Sequence, residues 1–345
     1  MTKPLIFDLS LDEISRQLEN WSEPKFRAKQ IWQGLYHQLY SSTDNFSTLP
    51  KGLKSKLTGA FRFSGLDPID DIHSKDHQTT KVLFELCDGH TIESVLMHYH
   101  DRETVCVSTQ VGCAVGCTFC ATGQMGFFRN LTAGEIVEQV LHFERELISK
   151  QKKVTNIVFM GMGEPFLNFE NTFKAIDILN DKQGLNIGER RFTISTVGLP
   201  DQIRRFADMH RQINLAVSLH TPINHKRSKI IPINKRFPIH DVISAVKYYS
   251  RQTNRRVTFE YALIAGENDD QETAEALIQL IKGLLCHINL IPVNPIGAEI
   301  KASSKQSVDA FKKVLEDYGF PCSVRLGRGI EIQAGCGQLA SRNKN

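Results

Sequence analysis

The chain has 345 residues, 41% of them apolar and 23% charged, a balance that suits a globular enzyme with one large domain and a small appendage. No apolar run approaches the ~18 residues needed to span a bilayer, and Met1-Thr-Lys-Pro-Leu-Ile-Phe-Asp8 lacks the apolar stretch and cleavage site of a signal peptide, so no membrane association and a cytoplasmic location are expected. A net charge of +4 is too small to argue for a polyanionic partner by itself, and the eight cysteines of such a chain are expected as thiols or ligands rather than structural disulfides.

Residues 1–70 are expected to form a small helical domain. Ser10-Leu-Asp-Glu13 is a capping box opening a helix to about Asn20. Ser22-Glu-Pro24 starts a second, whose Phe26, Ile31, Trp32, Leu35 and Tyr36 form a core stripe beside Lys25, Arg27 and Lys29. A third helix covers about 49–57. Residues 71–100 read as a linker and a β-hairpin, because alternating runs at 80–86 and 90–96 flank Asp88-Gly89.

Residues 101–340 alternate between the two periods. Strands are expected at 103–109, 154–160, 191–196, 213–219, 256–263 and 287–292, with helices near 132–149, 169–180, 199–209, 239–250, 270–283 and 304–318. Six βα units imply an α/β fold, a parallel sheet closing into a partial (β/α)6 barrel. In barrels the chemistry gathers at the C-terminal strand ends. Basic residues cluster at Lys25–Lys29, Arg190-Arg191, Arg204-Arg205, His225–Lys229, Lys235-Arg236 and Arg255-Arg256. Each alone is an ordinary solvated face; together they favour a polyanionic substrate.

The first of these strands runs into Cys113-Ala-Val-Gly-Cys117-Thr-Phe-Cys120. Three close thiolates can hold three corners of a [4Fe–4S] cluster. The fourth iron is then open to the amino and carboxylate groups of S-adenosylmethionine (SAM). It can pass an electron to the sulfonium and release a 5′-deoxyadenosyl radical, with Phe119 shielding the cluster. The competing readings are a zinc site lacking one ligand, or buried thiols.

Gly161-Met-Gly163-Glu164-Pro165 ends the second strand, and suits close backbone approach to a ligand and capture of an ammonium group. Ser195, Ser218-Leu219-His220 and Asn294 end three more strands, with polar groups that suit ribose and adenine edges. Each could merely cap a helix, but together they converge on one barrel mouth. Cys336, between two glycines after a strand-like Ile330–Gln333, and Cys106, in the first strand, are either chemical thiols or small buried hydrophobes. Cys87, Cys286 and Cys322 are assigned to the second class.

The chain resembles the RlmN/Cfr family of radical SAM RNA methyltransferases over essentially its full length. The resemblance rests on Glu23–Trp32, Cys106–Cys113, the cysteine triplet with Ala121-Thr-Gly and Arg129-Asn-Leu, Met160–Pro165, Ser218–His220, Ile231–Asn234 and Ala334–Leu339. It implies methylation of an adenine ring carbon, using a [4Fe–4S] cluster on Cys113, Cys117 and Cys120 and two SAM per turnover. RlmN-like members modify C2 of one adenine in the peptidyl-transferase centre of 23S rRNA and of an adenine beside the tRNA anticodon. Cfr-like members modify C8 of the same rRNA adenine, giving antibiotic resistance. C2 is expected here, because the Lys25–Trp32 and Val111–Cys117 segments look more RlmN-like.

By the family mechanism Cys336 takes a methyl from one SAM, and the radical from a second abstracts a hydrogen from it. The methylene radical adds to the ring, and Cys106 attacks the Cys336 sulfur, leaving a transient Cys106–Cys336 disulfide for reductant to restore. Glu93 matches the proton acceptor, and Gly163, Glu164, Ser195, Ser218, Leu219, His220 and Asn294 match the SAM contacts. The helical module matches the RNA-recognition appendage. A monomer and an electron donor such as flavodoxin or ferredoxin are expected. Two rivals are a radical SAM enzyme acting on a protein or small molecule and a non-catalytic iron–sulfur RNA-binding protein. Cys336 and the appendage argue against the first, the nucleotide pocket and thiol pair against the second.

Overall fold

The computed structural model describes residues 3–294, 300–325 and 327–340. Helices α1 (Leu11–Asn20), α2 (Phe26–Tyr36) and α3 (Lys51–Ala60) come first. The capping box of α1 is formed: Glu13 N donates to Ser10 Oγ at 3.2 Å, and Ser10 N to Glu13 Oε2 at 2.7 Å. Helix α2 buries Ile31, Trp32, Leu35 and Tyr36, but Phe26 is 61% exposed and does not belong to the expected core stripe. It precedes Ile31 by five residues, about 140° round the helix.

Strands β1 (Leu66–His73), β2 (Thr79–Leu86) and β3 (Thr91–His98) form an antiparallel meander, and β3 pairs antiparallel with β4 (Glu103–Cys106). The hairpin therefore extends the main sheet. Residues 66–73, read as the end of the helical domain and the start of a linker, are its edge strand. Pro68, the acidic residues and a register shift between Pro68 and Asp70 hid that strand from a periodicity argument; all are edge-strand features.

From β4 the sheet continues through β7 (Asn156–Phe159), β8 (Phe192–Thr196), β9 (Asn214–Ser218), β10 (Val257–Leu263), β11 (Cys286–Pro292) and β12 (Cys322–Val324), all parallel, making ten strands. The crossover helices are α5 (Ala133–Ile148), α6 (Phe169–Asn180), α7 (Pro200–Asp208), α9 (Ile239–Thr253), α10 (Gln271–Ile281) and α11 (Lys305–Asp317). Further elements were not expected: the seventh parallel strand β12, the pair β5 (Gln110–Gly112) and β6 (Phe127–Asn130), the single turn α4 (Ala121–Gln124), and α8 (Asn224–Ile230). Ile330–Gln333 is turn rather than strand, because Gly329 and Gln333 take positive φ of 60° and 54°. No helix among the described residues is long and apolar enough to cross a membrane.

The helical module is not a separate body. Leu5, Phe7 and Trp32 share one apolar core with Ile136 and Val140 of α5. Gly134 N donates to Asp8 Oδ1 at 2.7 Å, and a Cβ on Gly134 would stand 2.8 Å from Asp8 N. Trp32 Nε1 donates to Asp181 Oδ1 at 3.1 Å, and Gly65 N to Glu138 Oε2 at 2.7 Å.

Candidate active site

The cysteine loop is fixed at both ends. β5 and β6 clasp its base, and Cys113 N donates to Gly126 O at 2.8 Å. Thr118 N reaches Ile230 O at 3.1 Å, and Ala121 N reaches Gly337 O at 2.7 Å. Cys113 and Cys117 pack with Val115 and Ile231, and Phe119 and Cys120 lie against them. All three thiols are free and line one cavity. Burial pushes Cys113 up to about 12 and raises Cys117 and Cys120 as well. Among the described residues no group of three His, Cys, Asp or Glu is gathered tightly enough for a single metal ion. A four-iron cube takes its cysteines at separate corners, and three thiols around one cavity suit it.

The cavity extends from the cysteine loop across the C-terminal ends of the parallel strands. Gly161, Gly163, Glu164, Ser195, Ser218, His220 and Asn294 line it. Gly163 has φ +101°, and a Cβ there would stand 2.6 Å from Gln110, so the strand end admits only glycine without a shift. Both Glu164 oxygens accept backbone N–H groups, from Phe166 at 3.0 Å and Val197 at 2.8 Å, while burial raises its carboxyl to about 7. His220 Nδ1 accepts from Ala262 N at 2.9 Å, and burial, then Arg227, lowers the ring to about 3. The imidazole is thus neutral with Nε2 as its donor. Ser195 and Ser218 hydroxyls are 3.5 Å apart. Leu219 is fully buried in the core and offers only backbone.

A second chamber adjoins the first and shares Met160, Ile291, Asn294, Arg325 and Cys336 with it. Cys106 lies in this second chamber, so the structure brings Cys106 and Cys336 to one pocket as free thiols. Burial, then Cys336, pushes Cys106 up to about 12. Asn294 Nδ2 donates to Cys336 O at 3.0 Å, and a Cβ on Gly335 would stand 2.4 Å from that nitrogen. Glu93 lines neither chamber; its carboxylate lies under the C-terminal segment. Of the other cysteines, Cys286 is buried as expected, Cys322 is half-buried and Cys87 is exposed. Cys87 sits at the hairpin tip, where no core reaches it.

Two buried arginines escaped the sequence reading. Arg325 lines both chambers, and Cys336, ahead of Glu260, is the group that most favours its charge. Arg227, counted in a basic surface run, is 1% exposed. Helix α8 turns it inward while His225 and Lys229 face solvent. Its guanidinium donates to Leu219 O (3.1 Å), Asn234 Oδ1 (2.6 Å), Val197 O (2.5 Å) and Ser218 O (3.0 Å), tying two strand ends together. Burial lowers it to about 10, and Cys117 opposes that shift. Arg227→Met should cost about 3–5 kcal/mol in urea denaturation, because it strands these buried acceptors. A loss below about 1 kcal/mol contradicts this account of the network.

Residues 107–278 match the model of the radical SAM superfamily, and residues 6–62 match that of the ribosomal RNA large subunit methyltransferase N-terminal domain. The chain is 45% identical to the probable dual-specificity RNA methyltransferase RlmN of Chloroflexus aurantiacus, over 99% of this chain and 94% of that one. It is 44% identical to the Bacillus cereus protein of the same name, over 100% and 95%. A crystal structure of a radical SAM methyltransferase from Sphaerobacter thermophilus is 47% identical, with a TM-score of 0.95 over 97% of this chain and 99% of that one. With one family match covering the cysteine loop and most of the strand ends, the other covering the helical module, and identity at this level running the length of the chain, the protein belongs to the RlmN family of radical SAM RNA methyltransferases.

Proposed function

We propose that the protein methylates C2 of adenine in 23S rRNA and in tRNA through an S-methylated Cys336. The observation that carries the reading is the junction of two chambers: three clustered thiols line one, and the free thiols Cys106 and Cys336 meet in the other. An ordinary methyltransferase needs neither set. The adenine carbon is too electron-poor to attack a sulfonium methyl, so a protein sulfur must carry the carbon.

Cys113, Cys117 and Cys120 would hold a [4Fe–4S] cluster, and the strand ends from Gly163 to Asn294 would hold SAM. Bound together, these groups would supply a 5′-deoxyadenosyl radical. Glu164 offers a carboxylate already oriented by two backbone donors, which suits an ammonium. His220 Nε2 and the serine hydroxyls suit the nucleoside. Cys336 accepts the methyl and presents its carbon to the ring. By resemblance Glu93, which lies under the C-terminal segment and outside both chambers, would take the ring proton as the radical adduct gives up one electron to the iron–sulfur centre. Cys106 would then attack the Cys336 sulfur, the carbon–sulfur bond breaking with its electron pair to the base, whose methylene carbon takes a proton. The resulting disulfide needs an external reductant, which suits a cytoplasmic setting with a flavodoxin or ferredoxin donor.

RNA recognition is assigned to the N-terminal helical module, whose last helix ends at Ala60. Phe26, 61% exposed, has the Arg27 guanidinium 4.8 Å from its ring and exposed Lys25 and Lys29 beside it. An exposed aromatic among cations suits base stacking next to phosphates. The double variant Lys25→Glu/Lys29→Glu should weaken RNA binding and lower its log–log salt slope by about 2. Phe26→Ala should cost about 1–3 kcal/mol of binding with little change in slope. Unchanged slopes in filter binding would move recognition elsewhere. Nucleoside mass spectrometry of treated 23S rRNA and tRNA tests the regiochemistry: 2-methyladenosine in both supports the proposal, and 8-methyladenosine in rRNA alone replaces it with the Cfr-like reaction.

A further inference from the structure

Glu93 is paired with Lys81: Nζ stands 2.9 Å from Oε1, and both side chains are 3% exposed. The pairing follows from the sheet. Leu83 faces Glu93 and Lys81 faces Val95 across β2 and β3, so Lys81 and Glu93 are diagonal neighbours on one face. Each partner also holds the C-terminal segment. Lys81 Nζ donates to Gln333 O at 3.3 Å, and Glu93 Oε2 accepts from Ala340 N at 2.9 Å. Cys336 lies between those two anchor points. On its other side the segment is tied to the cysteine loop, through Ala121 N to Gly337 O at 2.7 Å and Thr122 Oγ1 to Leu339 O at 2.6 Å.

We propose that the Lys81–Glu93 pair is a clamp that seats the Cys336 segment over the cavity, and that Lys81 is a positioning residue for methyl transfer. A buried ion pair seldom adds stability over apolar packing, and its attested use is to fix one arrangement. Here each charged group makes a further bond to the backbone flanking one cysteine. Charge-assisted bonds to each end restrict the segment more than neutral ones do. The clamp also couples to chemistry. When the carboxylate takes a proton from the ring carbon, the C–H bond breaks, an O–H bond forms and the electron pair stays with the ring system. The pair then loses its mutual attraction and Ala340 loses a charged acceptor, just as product must leave. This coupling rests on the reading of Glu93 as proton acceptor; the clamp itself does not.

Amide hydrogen exchange on the cluster-loaded protein tests it. Lys81→Met keeps the apolar stem and removes the charge. It should speed exchange over residues 334–340 roughly tenfold or more while α5 and β8 stay at wild-type rates. Lys81→Arg should restore most of the protection. The methylated fraction of Cys336 in the purified Lys81→Met protein, read by peptide mass spectrometry, should fall with it. If Lys81→Met folds poorly, isosteric Glu93→Gln removes the other charge and should give the same local acceleration. Wild-type exchange over 334–340 in both variants, or acceleration spread evenly through the sheet, overturns the clamp. If wild-type Cys336 never carries a methyl, the methyl-carrier reading fails, while the exchange comparison still decides the clamp.

Discussion

Cys106→Ala purified from RNA-containing cells is expected to carry RNA covalently bound to Cys336, and Cys336→Ala to carry none. Both variants lose one thiol from the same chamber, yet the losses fall at opposite ends of the sequence of steps. Without Cys336 no sulfur accepts the methyl, so neither adduct nor product forms. Without Cys106 the adduct forms but lacks the nucleophile that cleaves its carbon–sulfur bond. Denaturing electrophoresis with and without ribonuclease reads the difference, and turnover should fall by roughly three orders of magnitude in each variant. If both are merely small core residues, each loses a little stability and neither shows an RNA-dependent shift.

The same chamber sets a pH dependence. Burial and the neighbouring sulfur push the Cys106 thiol to about 12, so its thiolate is the minor species at neutral pH. The thiolate is the attacking form. Release of the adduct by wild-type protein should therefore accelerate with rising pH, roughly tenfold per unit while chemistry at Cys106 limits it. A flat profile between pH 7 and 9 would mean that another step limits, or that another group resolves the adduct.

Replacing any one of Cys113, Cys117 and Cys120 with Ala should remove most of the bound iron and all SAM cleavage. Among the described residues the one further thiol lining that cavity is Cys336, which the proposed reaction commits to carrying the methyl. The raised thiols add a second signature. Iron must displace their protons, so anaerobic reconstitution should release protons and proceed further at pH 8.5 than at pH 7. A single-Ala variant with full iron content and full SAM cleavage removes the cluster assignment.

The crossover pattern was legible because each βα unit changes period from 2 to 3.6, and the cysteine spacing because it falls directly after a strand. What escaped notice were single charged residues. Lys81, Arg227 and Arg325 look like surface cations in a sequence. Only the tertiary fold reveals that Arg227 bonds four oxygens on three chain segments or that Lys81 meets Gln333 from 252 positions away. Glu93 needed the resemblance for the same reason, since one carboxylate on a mixed strand carries no pattern. The edge strand β1 was lost because the features that protect a sheet edge are those that weaken a strand's signature. Phe26 was misplaced by composition: an aromatic on a helix counts as core until the helical angle is measured against its neighbours.

The bond from Trp32 to Asp181 spans 149 positions, and this has a consequence during synthesis. The helical module leaves the ribosome first, but the surfaces that cover Leu5, Phe7 and Trp32 belong to α5 and to the loop after α6. At about 5–20 residues per second, those partners arrive roughly 7–30 s later. Through that interval an indole and its neighbours stay without their packing partners, long enough for chaperones to engage them. A nascent chain stalled before residue 181 should bind a hydrophobic chaperone through these residues and release it once α5 and α6 have emerged.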